Sequence, residues 1–149
     1  MQATTVTPRE LAREMLGLVG HLMRSSTPDF LRALSEHELT FTQVKMLHEL
    51  DQPDGDLAQS ELGATLSLSL PAVSRAVDGL EARGYVERRE DEHDRRMKRV
   101  RVTPAGRRVL GRLMDIRMNM LERFAETMSD DERRDLAAAL APVVERVRR

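Results

Sequence analysis

The feature that most constrains the fold is a change in hydrophobic period near Gly84. Before it, apolar residues recur every three or four positions, which predicts two short helices between 57 and 84. After it the period becomes two: Val86 begins one short strand, and residues 99–102 alternate arginine with valine in a second. The segment between the strands, 90–96, is wholly polar, as expected of an exposed hairpin tip. The centre of the chain is therefore predicted to run helix, helix, hairpin.

Capping residues mark the starts of several helices. In three places a Ser or Thr is followed three residues later by Glu or Gln, so that each side chain can accept a hydrogen bond from the other residue's backbone N–H. Ser69 is expected to cap the second central helix, and Gly84 to end it in the left-handed conformation. The three capping boxes lie at 7–10, 40–43 and 129–132.

Apolar helices flank this central module. The spacing predicts a first helix over 8–25, a separate helical piece near 28–34, a long helix over 104–128 and a last helix after it. Helices this apolar need a surface to bury against. They can fold over the central module or pack against a second copy of the chain, and we favour the second copy. The predicted fold class is mainly α with a small β-hairpin wing, a winged helix-turn-helix domain plus N- and C-terminal dimerisation helices.

Length and composition fit one folded domain. The chain has 149 residues, of which 40% are hydrophobic and 33% charged. We expect a single domain over 1–149, with a winged helix-turn-helix lobe at 36–103 and a helical dimerisation region made of 7–35 and 104–149. No apolar run reaches the roughly 18 residues that a membrane helix needs, and the N-terminus lacks a signal-peptide pattern. We therefore expect a cytoplasmic protein with no membrane partner.

Charge is unevenly distributed along the chain. The net charge is −1, yet residues 70–108 hold eleven Arg or Lys against seven Asp or Glu. Five of these cations lie within 95–101, a segment without any acidic residue. A basic patch on a nearly neutral protein is typical of a nucleic-acid-binding surface, although charge runs are also common on ordinary solvated faces.

Several short fragments together point to a known family. Over 57–106, roughly a third of the chain, their order and spacing resemble the MarR (multiple antibiotic resistance regulator) family of winged helix-turn-helix regulators. The resemblance implies an obligate homodimer that binds double-stranded DNA at a pseudo-palindromic operator, with repression the expected outcome and no cofactor. The matching fragments are Ser60–Gly63, Val73–Asp78, Leu80–Arg88, Asp94–Arg96 and Thr103–Arg107.

By this resemblance, residues 70–82 form the recognition helix. Ser69, Ser74 and Arg75 lie in its exposed first half. Arg75 is the best candidate for a base contact, because a guanidinium can donate two hydrogen bonds to a guanine edge. The alternative is that Arg75 contacts a phosphate.

The wing carries the second set of predicted DNA contacts. Asp94 and Arg96 match the family's acid-x-Arg pattern, in which the arginine enters the minor groove and the acid holds it in place. Arg95, Lys98 and Arg99 are then predicted phosphate contacts, which make binding sensitive to salt. The alternative for Asp94 is that it only interrupts a basic loop.

Two positions depart from the family pattern. Ser67 stands in the turn where glycine is usual, and Gly63 stands where alanine is usual. Both residues are small, so the fold is still expected, with a modest energetic cost at Ser67.

Many members of this family release DNA when a small aromatic or anionic effector binds. For most of the residues in a possible effector pocket, a place in the ordinary core is the favoured alternative. The candidate pocket residues are Leu18, His21, Leu22, Phe41, Leu47, Met114 and Met118.

Three other functions are weaker. A metal-responsive regulator using His21 and His48 is disfavoured, because the four histidines show no compact ligand spacing and no metal site is predicted. An enzyme is rejected, because the chain has no cysteine, no phosphate-binding glycine loop and no recognisable catalytic constellation. A protein-interaction module that has lost DNA binding remains a minor alternative, but such a module should have lost its wing cations.

Overall fold

The structure is a computed structural model. It describes residues 5–148, except for the side chains of residues 26 and 27. The predicted fold class is confirmed: helices predominate around a small antiparallel sheet. In chain order the elements are α1 (Pro8–Glu36), α2 (Phe41–Leu50), β1 (Leu57–Ala58), α3 (Gln59–Leu66), α4 (Leu70–Ala82), β2 (Val86–Glu90), β3 (Lys98–Val102), α5 (Pro104–Glu126) and α6 (Asp130–Val147).

All three predicted capping boxes are present. Before α2, the Thr40 N–H donates to the Gln43 side chain at 2.9 Å, and the Gln43 N–H donates to the Thr40 hydroxyl at 3.2 Å. Thr7 with Glu10 and Ser129 with Glu132 make the same reciprocal pairs before α1 and α6. Local sequence alone therefore sets these three helix starts.

The prediction of two separate helical pieces around residue 28 is wrong. α1 is a single helix that runs through Pro28. A proline costs a helix one hydrogen bond and requires a local bend, but it does not prevent helical turns on either side. Ala33 and Leu34, which follow it, are each only 7% exposed, so their packing also stabilises the last turns.

The sheet has one strand more than the predicted hairpin. β2 and β3 form the hairpin, and the two-residue strand β1 pairs antiparallel with the other edge of β3. A strand of two residues is too short to produce a periodic signal in the sequence. Its pairing places β3 in the middle of the sheet.

The chain divides into two compact units. The central lobe is Asp29–Asp115, and the terminal unit comprises the described residues up to Pro28 together with those from Ile116 onward. The lobe has a closed apolar core to which every one of its helices and strands contributes. Its fully buried side chains include Met46, Leu47, Leu50, Leu62, Val73, Val77, Leu80, Val86, Val100, Val109 and Leu113.

The terminal unit leaves many apolar side chains exposed. None of the residues of α6, Asp130–Val147, is buried. Its leucines and valines include Leu140, which is 48% exposed, and Val147, which is 74% exposed. On the N-terminal part of α1, Met15 and Leu16 are likewise more than half exposed.

The turn between α3 and α4 has a left-handed residue at Ser67, with φ 55° and ψ 45°. A side chain with a Cβ costs about 1–2 kcal/mol in this conformation, which explains why glycine is usual at this position of the family. The predicted capping by Ser69 and the left-handed Gly84, with φ 73°, are both confirmed.

Replacing Ser67 with glycine should therefore stabilise the protein. We expect Ser67→Gly to raise the free energy of unfolding by about 0.5–1 kcal/mol, since relief of strain is partly offset by the greater freedom of glycine in the unfolded chain. Urea unfolding followed by circular dichroism measures this. Ser60→Gly, within α3, is the control and should lower stability by about 0.5 kcal/mol. Equal losses in both variants would contradict the strain at Ser67.

Candidate nucleic-acid interface

Helix α4 presents a polar face over a buried apolar one. Val73, Val77 and Leu80 have no exposed surface, and they anchor the helix to the lobe. On the opposite side, the predicted contact residue Arg75 is exposed and Ser74 is partly exposed. The helix therefore stands on the lobe with its first turns accessible, which is the geometry that a recognition helix needs.

The first turn of α4 combines a cap with an apolar side chain. The Ser69 hydroxyl accepts a hydrogen bond from the Ala72 N–H at 3.4 Å, so its own O–H is left to donate to another group. Leu70, next in the chain, is 58% exposed. An exposed leucine beside hydroxyl and guanidinium groups suits a base-pair edge, where the thymine methyl is an apolar contact.

The wing is a regular hairpin with a constrained tip. The pairing of β2 with β3 runs from Val86 opposite Val102 to Glu90 opposite Lys98. Beyond the strands, the Asp91 carboxylate accepts hydrogen bonds from the backbone N–H groups of His93 and Asp94, at 2.8 and 3.1 Å. These two bonds, together with the Arg99 side chain, hold the pKa of Asp91 below its usual range.

Asp94 acts on the backbone of the tip. Its carboxylate accepts a hydrogen bond from the Arg96 N–H at 2.9 Å, and its carbonyl accepts one from the Met97 N–H at 2.9 Å. Asp94 thus closes a turn that sets the direction in which the Arg96 side chain leaves the wing. Its contact with Arg96 is made through the backbone amide.

The predicted contact cations fall into two groups. Arg75, Arg95 and Arg96 are exposed, and within the described part of the chain none of them has an acidic partner. Lys98 lies 3.3 Å from the Glu90 carboxylate. The Arg99 guanidinium contacts the carboxylates of Asp56 and Asp91 at 3.1 and 3.2 Å. The contacts with DNA remain predictions for all five residues.

Sequence reasoning assigned no role to Arg88, which links the wing to α4. Its guanidinium pairs with Asp78 at 2.5 Å and with Glu81 at 2.6 Å, and it donates to the Ser74 carbonyl at 3.3 Å. The two acids lie three residues apart on one face of α4. This spacing is the sequence feature that could have indicated a cation packed against that face. Arg88 is only 20% exposed on its side chain, and its contacts tie β2 to α4.

The predicted effector-pocket residues are divided between the two units. Phe41, Leu47 and Met114 belong to the central lobe, where Leu47 has no exposed surface and is part of the core. Within the terminal unit, a cavity of about 390 Å³ is lined by two of the predicted residues, His21 and Leu22. The other two, Leu18 and Met118, lie in the same unit and do not line this cavity.

That cavity is mostly apolar and has aromatic walls. The rings of His21 and Phe124 lie with their centroids 5.9 Å apart and tilted by 54°. Arg123 and Thr127 add polar groups to the lining. Among residues 5–148, no cluster of three His, Asp or Glu side chains is suited to holding a metal ion, and no described helix is long and apolar enough to cross a membrane.

Several solved structures are similar to this chain over most of its length. A transcriptional regulator of Thermotoga maritima shares 23% identity, with a TM-score of 0.77 and coverage of 93% of this chain and 96% of its own. RV1404 of Mycobacterium tuberculosis shares 22%, with a TM-score of 0.78 and coverage of 97% of both chains. S. aureus MepR in a complex with DNA shares 20%, with a TM-score of 0.67 and coverage of 91% and 98%. At these identities the likeness shows a common winged-helix fold.

A family model also matches part of the sequence. A model described as the MarR family matches residues 31–97, which hold α2, α3, α4 and most of the wing. The predicted resemblance is confirmed over this segment, which makes up just under half of the chain and matches the MarR family. This family match supports a DNA-binding transcription regulator.

The role of Arg88 in joining the wing to α4 can be tested by stability. We expect Arg88→Leu to lower the free energy of unfolding by about 1–2 kcal/mol, because two charge-assisted pairs and a backbone contact are lost from a partly buried site. Arg101→Leu is the matched control. Arg101 also pairs across the hairpin, with Glu87, but both side chains are about half exposed, so its loss should cost less than about 0.5 kcal/mol. Equal effects in urea unfolding would contradict the linking role.

Proposed function

We propose that the protein is a sequence-specific transcription regulator that binds double-stranded DNA as a homodimer on a pseudo-palindromic operator. The observation that carries the proposal is that α4 and the wing tip of one lobe present three exposed arginines without acidic partners among the described residues. Arg75 lies on α4, while Arg95 and Arg96 lie at the wing tip. Cations left free in this way are available to phosphates and base edges.

In this proposal α4 and the wing contact different parts of the DNA. α4 enters the major groove, where Arg75 and the Ser69 hydroxyl reach base edges or phosphates. The wing lies along the backbone, and Arg96 enters the minor groove, whose negative potential attracts a guanidinium. Asp94 contributes by holding the backbone N–H of Arg96 rather than by contacting DNA.

A protein-interaction module is disfavoured by the same cations. A winged helix that no longer binds DNA has no need for three exposed arginines with no acidic partner among the described residues, next to an exposed Leu70 on α4. In addition, one of the similar structures is that of S. aureus MepR in a complex with DNA.

The apolar faces of the terminal helices support the homodimer. α6 has Leu136, Leu140, Val143, Val144 and Val147 exposed by 37% or more, and α1 has Leu11, Met15 and Leu16 exposed by more than half. Contiguous apolar faces of this kind mark a protein interface. In a symmetric dimer two copies of α4 face successive turns of DNA, about 34–36 Å apart.

Repression and effector release complete the proposal. A dimer bound across an operator blocks access to that DNA, which favours a repressor. The cavity beside His21 and Phe124 has the apolar walls and the polar rim that suit a small aromatic or anionic molecule. An effector that changes the spacing of the two lobes weakens binding, because both half-sites must be engaged at once.

Selection from a random duplex library tests DNA binding and identifies the preferred sequence in one experiment. We expect enrichment of an inverted repeat with half-sites about ten base pairs apart. Fluorescence anisotropy on the enriched site should show Arg96→Ala binding at least about tenfold more weakly, with the slope of log affinity against log salt reduced by about one. Arg112→Ala, an exposed arginine on α5, is the control and should bind as the wild type does.

The same assay distinguishes the two roles open to Arg75. If Arg75 contacts a base, Arg75→Ala relaxes the preference at one position of each half-site. If it contacts a phosphate, the variant weakens binding to all sequences alike. Failure to enrich any sequence, with equal weak binding by the wild type and Arg96→Ala, would overturn the proposed function.

If α6 forms part of the dimer interface, a charged substitution on its apolar face should dissociate the dimer. We expect Leu140→Glu to convert the protein from dimer to monomer in sedimentation velocity, because a carboxylate would be buried without a partner in the interface. Leu70→Glu is the control: this leucine is similarly exposed but lies on α4, so the variant should remain a dimer. A dimeric Leu140→Glu protein would place the interface elsewhere.

A further inference from the structure

Two arginines face each other across the wing. In the pairing of β2 with β3, Arg89 lies directly opposite Arg99. Like charges at directly opposite positions destabilise a sheet unless an anion lies between them. The hairpin therefore needs a counter-charge at this point.

The counter-charge that both arginines share comes from outside the wing, from Asp56 just before β1. Each arginine also has a longer pair of its own, Arg89 with Glu92 at 3.7 Å and Arg99 with Glu61 at 3.9 Å. One carboxylate oxygen of Asp56 accepts a hydrogen bond from the Arg89 Nε at 2.9 Å, and the other accepts one from the Arg99 Nε at 3.1 Å. The Asp56 backbone carbonyl accepts a further hydrogen bond from Arg99. One acidic residue thus binds both arginines and reaches them from a different part of the lobe.

A second acid connects this pair to the wing tip. Asp91 is only 12% exposed on its side chain, and it accepts a hydrogen bond from Arg99 at 3.2 Å. The same carboxylate holds the backbone of His93 and Asp94. Contacts therefore run without a break from Asp56 through Arg99 and Asp91 to the turn that carries Arg96.

The electrostatics of Asp56 agree with this geometry. Burial raises the pKa of the Asp56 carboxyl, but the hydrogen bonds and charges of Arg89 and Arg99 outweigh it and hold the pKa below the usual range. The carboxylate is therefore ionised at neutral pH, and its hydrogen bonds with both arginines are charge-assisted.

We propose that Asp56 is a positioning residue for DNA binding: it offsets the repulsion between Arg89 and Arg99 and holds the wing in the orientation from which Arg95 and Arg96 contact DNA. Arg99 belongs to this support, because it contacts both Asp56 and Asp91. The proposal rests on the proposed function for its effect on DNA, but the effect on the wing itself does not depend on DNA.

The sign of one substitution separates this proposal from simple electrostatics. Asp56 is an acid close to a surface proposed to bind a polyanion, so removal of its charge should strengthen binding if only long-range charge matters. If Asp56 positions the wing, removal of its charge should weaken binding. Asp56→Asn preserves the size of the side chain while removing the charge.

A matched control lies two residues away. Asp54 is exposed, lines the same open depression as Asp56, and makes no ion pair with the residues that the structure describes. Asp54→Asn therefore makes the same change of charge near the same surface without releasing an arginine. It reports the purely electrostatic effect.

The first readout is affinity for the enriched DNA site by fluorescence anisotropy. We expect Asp56→Asn to bind about tenfold more weakly, and Asp54→Asn to bind as well as the wild type or better. Tighter binding by Asp56→Asn, or a loss of affinity no larger than that of Asp54→Asn, overturns the proposal.

The second readout uses the free protein, so that failure of the proposed function and failure of this inference can be told apart. Hydrogen exchange followed by mass spectrometry should show faster exchange over 88–101 in Asp56→Asn, at wild-type rates elsewhere, and no change in Asp54→Asn. If the wild type binds no DNA, the proposed function fails and the exchange data alone decide whether Asp56 holds the wing. Unchanged exchange in Asp56→Asn overturns the positioning role whatever the DNA result.

Discussion

The alternation of side chains along β3 is the constraint on which the rest of the lobe depends. Val100 and Val102 point into the core, with 0% and 4% of their surface exposed, while the cations between and beside them point outward. A slip of one residue in register would bury the arginines and expose the valines, at a large cost in free energy. Because this register is so strongly determined, the position of the wing tip relative to the lobe is determined with it.

The cations of the lobe serve two different purposes. Those along the strands, such as Arg88, Arg89 and Arg99, contact acids from other elements and hold α4, β1 and the hairpin together. Those at the wing tip and on α4 have no acidic partner among the described residues. Surface ion pairs add little stability individually, so the first group is better understood as directing the hairpin than as stabilising the fold. The second group is available to a ligand with negative charge.

The two compact units differ in how far they bury their apolar residues. The central lobe closes its own core, from Met46 and Leu47 on α2 to Leu113 on α5. The terminal unit keeps its longest apolar faces exposed in a single chain, although its helices begin with the same well-formed caps. Capping and helical period determine that a helix forms, whereas only a complementary surface determines what its apolar face covers.

Features that depend on a few neighbouring residues were determined by the sequence itself. The capping boxes, the cap at Ser69, the left-handed Gly84 and the helix-helix-hairpin order all follow from contacts within about four residues or from the period of apolar side chains, and all were predicted. The family pattern also placed Arg75 and Arg96 on exposed positions of α4 and the wing.

Features that join distant segments were decided only by the tertiary structure. Asp56 meets Arg89 and Arg99 from 33 and 43 residues away, and Leu57 pairs with Val100 in a strand too short to leave a period. Nothing local distinguishes Arg99, which is hydrogen-bonded to two acids, from Arg96, which has no acidic partner among the described residues, because both are arginines in one basic run. Which of them is available to DNA depends on which carboxylates the closed sheet brings near, and that is settled only when the chain is folded.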